Sequence, residues 1–131
     1  MPQKPETRFK LRVASDLKKL PRTWFVKIQQ VAIRGIPDFL LCINGRFVAL
    51  ELKAHPQAHV SPLQDWTLKE IARTGGIALI TFPSNWSDTY LLLQEVAGDE
   101  SEDDASYEEE DDPDSRVIEV NSEKVSKKMK N

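Results

Sequence analysis

The chain has 131 residues, 40% of them hydrophobic and 30% charged, which allows one small soluble domain and excludes a wholly disordered or membrane-embedded protein. Its one cysteine, Cys42, excludes an internal disulfide and a thiolate zinc cluster. The net charge of -3 conceals a division: +5 over residues 1–98, -11 over 99–114 and +3 over 115–131. The part expected to fold is therefore mildly basic, compatible with a polyanionic partner.

Taken in chain order, residues 6–20 carry Phe9, Val13, Leu17 and Leu20 as one apolar stripe, which predicts a helix delimited by Pro5 and Pro21. Residues 24–30 (WFVKIQQ) are rich in strand formers. Two apolar runs, PDFLLCI and RFVALELK, flank Asn44-Gly45 and read as a hairpin, since Asn-Gly takes the two positive-φ positions of a type I′ turn. Ser61-Pro62-Leu63-Gln64 opens a second helix with serine as cap, proline at the first helical position and Gln64 completing a capping box. Gly75-Gly76 stops it, residues 77–82 (IALITF) form a short buried strand, and 84–97 form a last helix started by Ser84 or Ser87.

Beyond Gly98 the pattern changes. Residues 99–115 hold eleven acids and no aliphatic side chain larger than alanine, so they are expected to stay disordered. RVIEV (116–120) is expected as a brief strand, followed by a frayed basic end. The division is thus a 1–98 domain and a 99–131 acidic linker with a basic tail. No apolar run reaches the ~18 residues of a membrane span and MPQKPETRFK lacks a secretory core, so the expected location is the cytoplasm.

The hairpin register brings the chemistry together. A two-residue loop pairs Ile43 with Arg46, and counting back sets Asp38 directly across from Glu51, with Lys53 on the same face one step on. Two opposed carboxylates destabilise a sheet unless something neutralises them. A hard divalent ion such as Mg²⁺ does so with one or two carboxylates, keeping waters and phosphate oxygens as its other ligands. Lys53 beside it could orient or deprotonate a water and offset charge in a phosphoryl transition state. The neighbouring strand residues are apolar on both faces, which points to a covered strand pair ending in a site. The alternative is a surface ion pair of Lys53 with one acid.

Gly35-Ile36-Pro37-Asp38, then Glu51-Leu52-Lys53 thirteen residues later, then Ser61-Pro62-Leu63-Gln64, resembles the VRR-NUC family of the PD-(D/E)xK nuclease superfamily. Arg34, Ala54 and the paired glycines after the second helix are also similar, and the likeness spans residues 6–97. It implies an α/β restriction-endonuclease-like core, a mixed sheet flanked by helices, and a Mg²⁺- or Mn²⁺-dependent DNA endonuclease. By position it implies Asp38, Glu51 and the backbone carbonyl of Leu52 as metal ligands, Lys53 as the catalytic lysine, Gln64 near the site, and a first-helix glutamate, matched by Glu6, reaching the metal directly or through water. Gln64 as a capping residue and Glu6 as a favourable charge at a helix start are the alternatives. Asp16 competes with Glu6 but falls off the apolar stripe and is expected to face solvent.

Family members of this size also imply a homodimer acting on four-way (Holliday) junctions or flaps in phage DNA replication, recombination or repair, in the cytoplasm of a bacterial host if the chain is phage-encoded. Rival readings are a nickase or restriction-like enzyme on ordinary duplex, and a non-catalytic module whose acidic tail mimics DNA or recruits a basic protein partner. His55 and His59 lie in a proline-interrupted stretch and read weakly as zinc ligands. Arg8, Lys10, Arg12, Lys18, Lys19 and Arg22 are candidate phosphate contacts. Trp24, Trp66 and Trp86 read as core or dimer anchors, and Cys42 as buried and inert.

Overall fold

Pro5 pre-sets φ for a first helical turn, and the helix it starts, α1 (Pro5–Leu17), buries Phe9, Val13 and Leu17 along one stripe. The computed structural model describes residues 4–29 and 33–98. The expected disorder of 99–115, the strand over 116–120, the basic end and Gln30 lie outside the described residues.

α1 stops three residues short of its predicted end. A residue before proline disfavours helical backbone, so Lys18–Leu20 tighten into a turn, with Leu20 N–H donating to the Leu17 carbonyl at 3.2 Å. Leu20 stays buried without being helical. Asp16 does not face solvent as expected: it accepts a 2.8 Å hydrogen bond from the Trp86 indole and so ties α1 to the last helix.

Four strands follow as one mixed sheet in the order β1 (Thr23–Lys27), β2 (Phe39–Ile43), β3 (Arg46–Leu52) and β4 (Ile77–Thr81). Asn44 and Gly45 have φ of 51° and 81°, the two left-handed positions the turn requires. The β2–β3 ladder has the predicted register, from Ile43↔Arg46 back to Phe39↔Leu50. β1 ends three residues earlier than expected. β4 pairs parallel to β3, reached by a crossover through α2 (Pro62–Arg73). Both halves of the Ser61–Gln64 capping box form.

One sheet face carries the core. Phe39, Leu41, Ile43, Val48, Leu50 and Leu52 pack with the α1 stripe and with Trp86, Leu93 and Ala97 of α3 (Trp86–Ala97). Phe9 meets Trp86 edge-on at 6.2 Å. Asn85, not Ser84 or Ser87, precedes α3; its side chain is turned back on the Phe82 N–H (2.8 Å) and the buried Thr81 hydroxyl (2.7 Å).

The other face corrects the expectation of a strand pair covered on both sides. α2 packs along β4, and the far half is open: Trp24 is 65% and Phe47 46% exposed, and Cys42 between them is exposed rather than buried. Trp66 is also exposed, leaving Trp86 as the core tryptophan among the three. β4 is half-buried rather than buried, because it is an edge strand with Ile80 on the outer face.

Candidate functional site

The hairpin stops pairing at Phe39↔Leu50, so Asp38 and Glu51 stand at the mouth of the ladder. Asp38 is held from two sides. Its carbonyl accepts from the N–H of Ile28, just past the end of β1, at 2.8 Å. Its carboxylate Oδ2 accepts from the Leu52 N–H, also at 2.8 Å, where a ladder bond would otherwise form. Gly35, three residues earlier, has a φ of 82°, and a Cβ there would lie 2.7 Å from Leu63 Cγ and 3.1 Å from the Leu63 carbonyl oxygen. The loop bearing Asp38 therefore approaches the first turn of α2 as closely as only glycine permits.

Glu51 is 4% exposed, and its Oε2 is buried with no hydrogen-bond partner among the described residues. Burial, then a side-chain hydrogen bond with Asp38 and the charge of that carboxylate, push the Glu51 carboxyl up to about 8, against the pull of Lys53 and Lys10. Lys53 is anchored on the next strand by its N–H to the Thr81 carbonyl at 2.9 Å. Its ammonium lies 4.0 Å from Glu51 Oε1 and donates to Gln64 Oε1 at 3.0 Å. That same Gln64 oxygen accepts from the Ser61 N–H at 3.1 Å. Gln64 thus caps α2 and holds Lys53 with one atom.

Lys10 is a residue that sequence reasoning placed among the candidate phosphate contacts and not at the acid pair. Its ammonium sits 3.2 Å from Asp38 Oδ1 and 3.7 Å from Glu6. Partial burial lowers its pKa, but the Asp38 charge and hydrogen bond, with Glu6 and Glu51 beyond, overcome this and raise it. The available signal was helical: Lys10 is one turn on from Glu6 and adjacent to buried Phe9, so it sits at the border of the packed stripe. Glu6, expected to lie inward, is instead 53% exposed, because its carboxylate pairs with the Lys10 ammonium one helical turn on at 3.7 Å.

Asp38, Glu51, Lys53 and Gln64 are thus brought together, and Glu6 is linked to them through Lys10. His55 and His59 are exposed in non-helical backbone, as their sequence context indicated. Among the described residues no group of three or more His, Cys, Asp or Glu forms a metal cage, and no helix is long and apolar enough to cross a membrane. The arrangement offers two adjacent carboxylates, one with an unsatisfied buried oxygen, beside a held ammonium. No family model matches the chain, and neither a curated protein nor a solved structure matches it.

Proposed function

We propose that this protein is a metal-dependent DNA endonuclease that hydrolyses phosphodiester bonds on branched DNA, a four-way junction or a flap, as a homodimer. The observation that carries the reading is the Glu51 carboxylate, buried beside Asp38 with one oxygen lacking a partner among the described residues. An acid in that position costs several kcal/mol unless a cation or proton satisfies it. The residues fit Mg²⁺ or Mn²⁺ on that ground. Two carboxylates suit a hard ion that keeps most of its waters, and a missing third acid is no obstacle to such an ion. Asp38 and Glu51 would hold it. The Leu52 carbonyl is a reasonable third ligand, because N–H and C=O of a strand residue face the same neighbour and the Leu52 N–H faces Asp38. A bound divalent ion supplies Lewis acidity toward a phosphoryl oxygen and lowers the pKa of water.

The chain's own part is positioning and charge. The Leu52 N–H holds Asp38 in place before any ligand arrives. Gln64 fixes the Lys53 ammonium, so Lys53 can orient the attacking water, exchange a proton at Nζ and offset negative charge as the P–O bond breaks. A helix, a four-stranded mixed sheet and two further helices are compatible with the expected endonuclease core. Branched DNA as substrate and a second copy as partner rest on the resemblance alone, together with the need for two centres to make two cuts.

The test is direct. Linear, nicked, flap and four-way substrates are incubated with Mg²⁺ or EDTA, beside Lys53→Ala. Cleavage of branched substrates that needs metal and falls about 10²–10⁴-fold in the variant supports the reading. Cleavage of linear duplex alone favours the restriction-like reading, and DNA binding without any cleavage favours a non-catalytic module.

A further inference from the structure

Asp38 has two oxygens with different commitments. Oδ2 is bound to the Leu52 N–H, which leaves Oδ1 as the better placed ligand, and Lys10 lies on that oxygen at 3.2 Å. On its other side, 3.7 Å away, is exposed Glu6, one helical turn back on the same face of α1. A flexible four-carbon stem thus carries a charge between an inner and an outer carboxylate. We propose that Lys10 is a built-in counter-cation that occupies the Asp38 oxygen a divalent ion would use, and that it retreats to Glu6 when the ion enters. Lys10 is then a positioning residue that lowers metal affinity and keeps the acid pair together without metal, and Glu6 acts through Lys10. This role rests on the metal-dependent reading above.

The physical argument is competition. An ammonium touching Asp38 offsets part of the site's negative charge and repels an entering divalent cation over a few ångströms. Removing it should tighten metal binding, whereas loss of a merely structural contact should weaken binding or leave it unchanged. Glu6 stabilises the withdrawn position of Lys10, so neutralising Glu6 should weaken metal uptake only while Lys10 is present. A glutamate reaching the metal itself, or through water, would matter in either background.

The experiment is a Mn²⁺ titration of the full chain without DNA, followed by calorimetry and by electron paramagnetic resonance of free Mn²⁺. Lys10→Met keeps length and helix propensity without charge and should bind Mn²⁺ about tenfold more tightly. Lys10→Arg should stay within about twofold of the unmodified chain, because its charge is retained. Glu6→Gln should weaken binding in the unmodified chain and leave Lys10→Met unchanged. In EDTA, Lys10→Met should melt lower. Uptake by the unmodified chain that is no tighter in Lys10→Met overturns the counter-cation role and leaves the metal reading standing. A Glu6→Gln loss that persists with Lys10→Met overturns the retreat. Mn²⁺ uptake by neither chain overturns the metal reading and this role together.

Discussion

Glu51 is where burial and chemistry meet. Its folded value of about 8 stands above the ordinary 4.5, so the metal-free folded chain keeps a proton that the unfolded chain loses. The stability this confers is complete below the ordinary value and is lost as pH rises through about 8. The metal-free protein should therefore melt at lower temperature as pH goes from about 6 to 9, and Glu51→Gln should flatten that slope. Melting curves in EDTA across that range check it; an unchanged slope in the variant would contradict the assignment. Metal uptake needs the carboxylate and releases the proton, so cleavage should climb over the same interval. Gln64 offers a second residue-scale experiment. Ser61→Ala removes the cap hydroxyl alone and should cost about 1 kcal/mol of stability with little effect on turnover. Gln64→Ala also releases Lys53, so it should lower turnover as well, a split that thermal melts and cleavage assays on the same samples resolve.

Among the elements, the hairpin and the start of α2 are locked to each other through Gly35. Gly35→Ala meets both a left-handed backbone and the Leu63 side chain at 2.7 Å. It should destabilise the fold by about 1–3 kcal/mol and reduce cleavage further, because Asp38 and Gln64 lie on the two sides of that contact. Denaturant titration and cleavage rates measure the two effects separately. The sequence was explicit about this hairpin and this helix start, because Asn44-Gly45 and Ser61-Pro62-x-Gln64 encode their geometry within four residues. It put the start of α3 at Ser84 or Ser87, where the structure has Asn85. Asn85 spends its side chain on Thr81 and Phe82 rather than on helix N–H groups, a choice made by the end of β4 and not by local propensity.

At the scale of the molecule, the half of the outer sheet face bearing Trp24, Cys42 and Phe47 is an exposed apolar patch of the kind that marks an interaction surface. If the chain is a homodimer through it, sedimentation should report two copies, and Phe47→Glu should give one copy that is still folded. The Cys42 thiol of a monomeric variant should react with a maleimide without denaturant, whereas a buried thiol would not. The acidic block adds a charge prediction: deleting 99–131 removes -8 in total, so DNA binding should tighten, most at low salt, while metal-dependent cleavage persists. Weaker binding by the shortened chain in a fluorescence titration would contradict this.

Periodicity and turn chemistry, read from the chain alone, placed all seven elements and fixed the hairpin register, and with it the meeting of Asp38, Glu51 and Lys53. Those signals are local, carried by neighbours in sequence and by the alternation of a strand. Tertiary structure decided what spacing cannot hold: that Lys10 bridges Asp38 and Glu6, that Asp16 binds Trp86, that Cys42 is open to solvent, and that one Gln64 oxygen serves both a helix cap and a lysine. Each depends on which surface of one element meets another across tens of residues, and that is set by packing of the whole sheet rather than by any run of sequence.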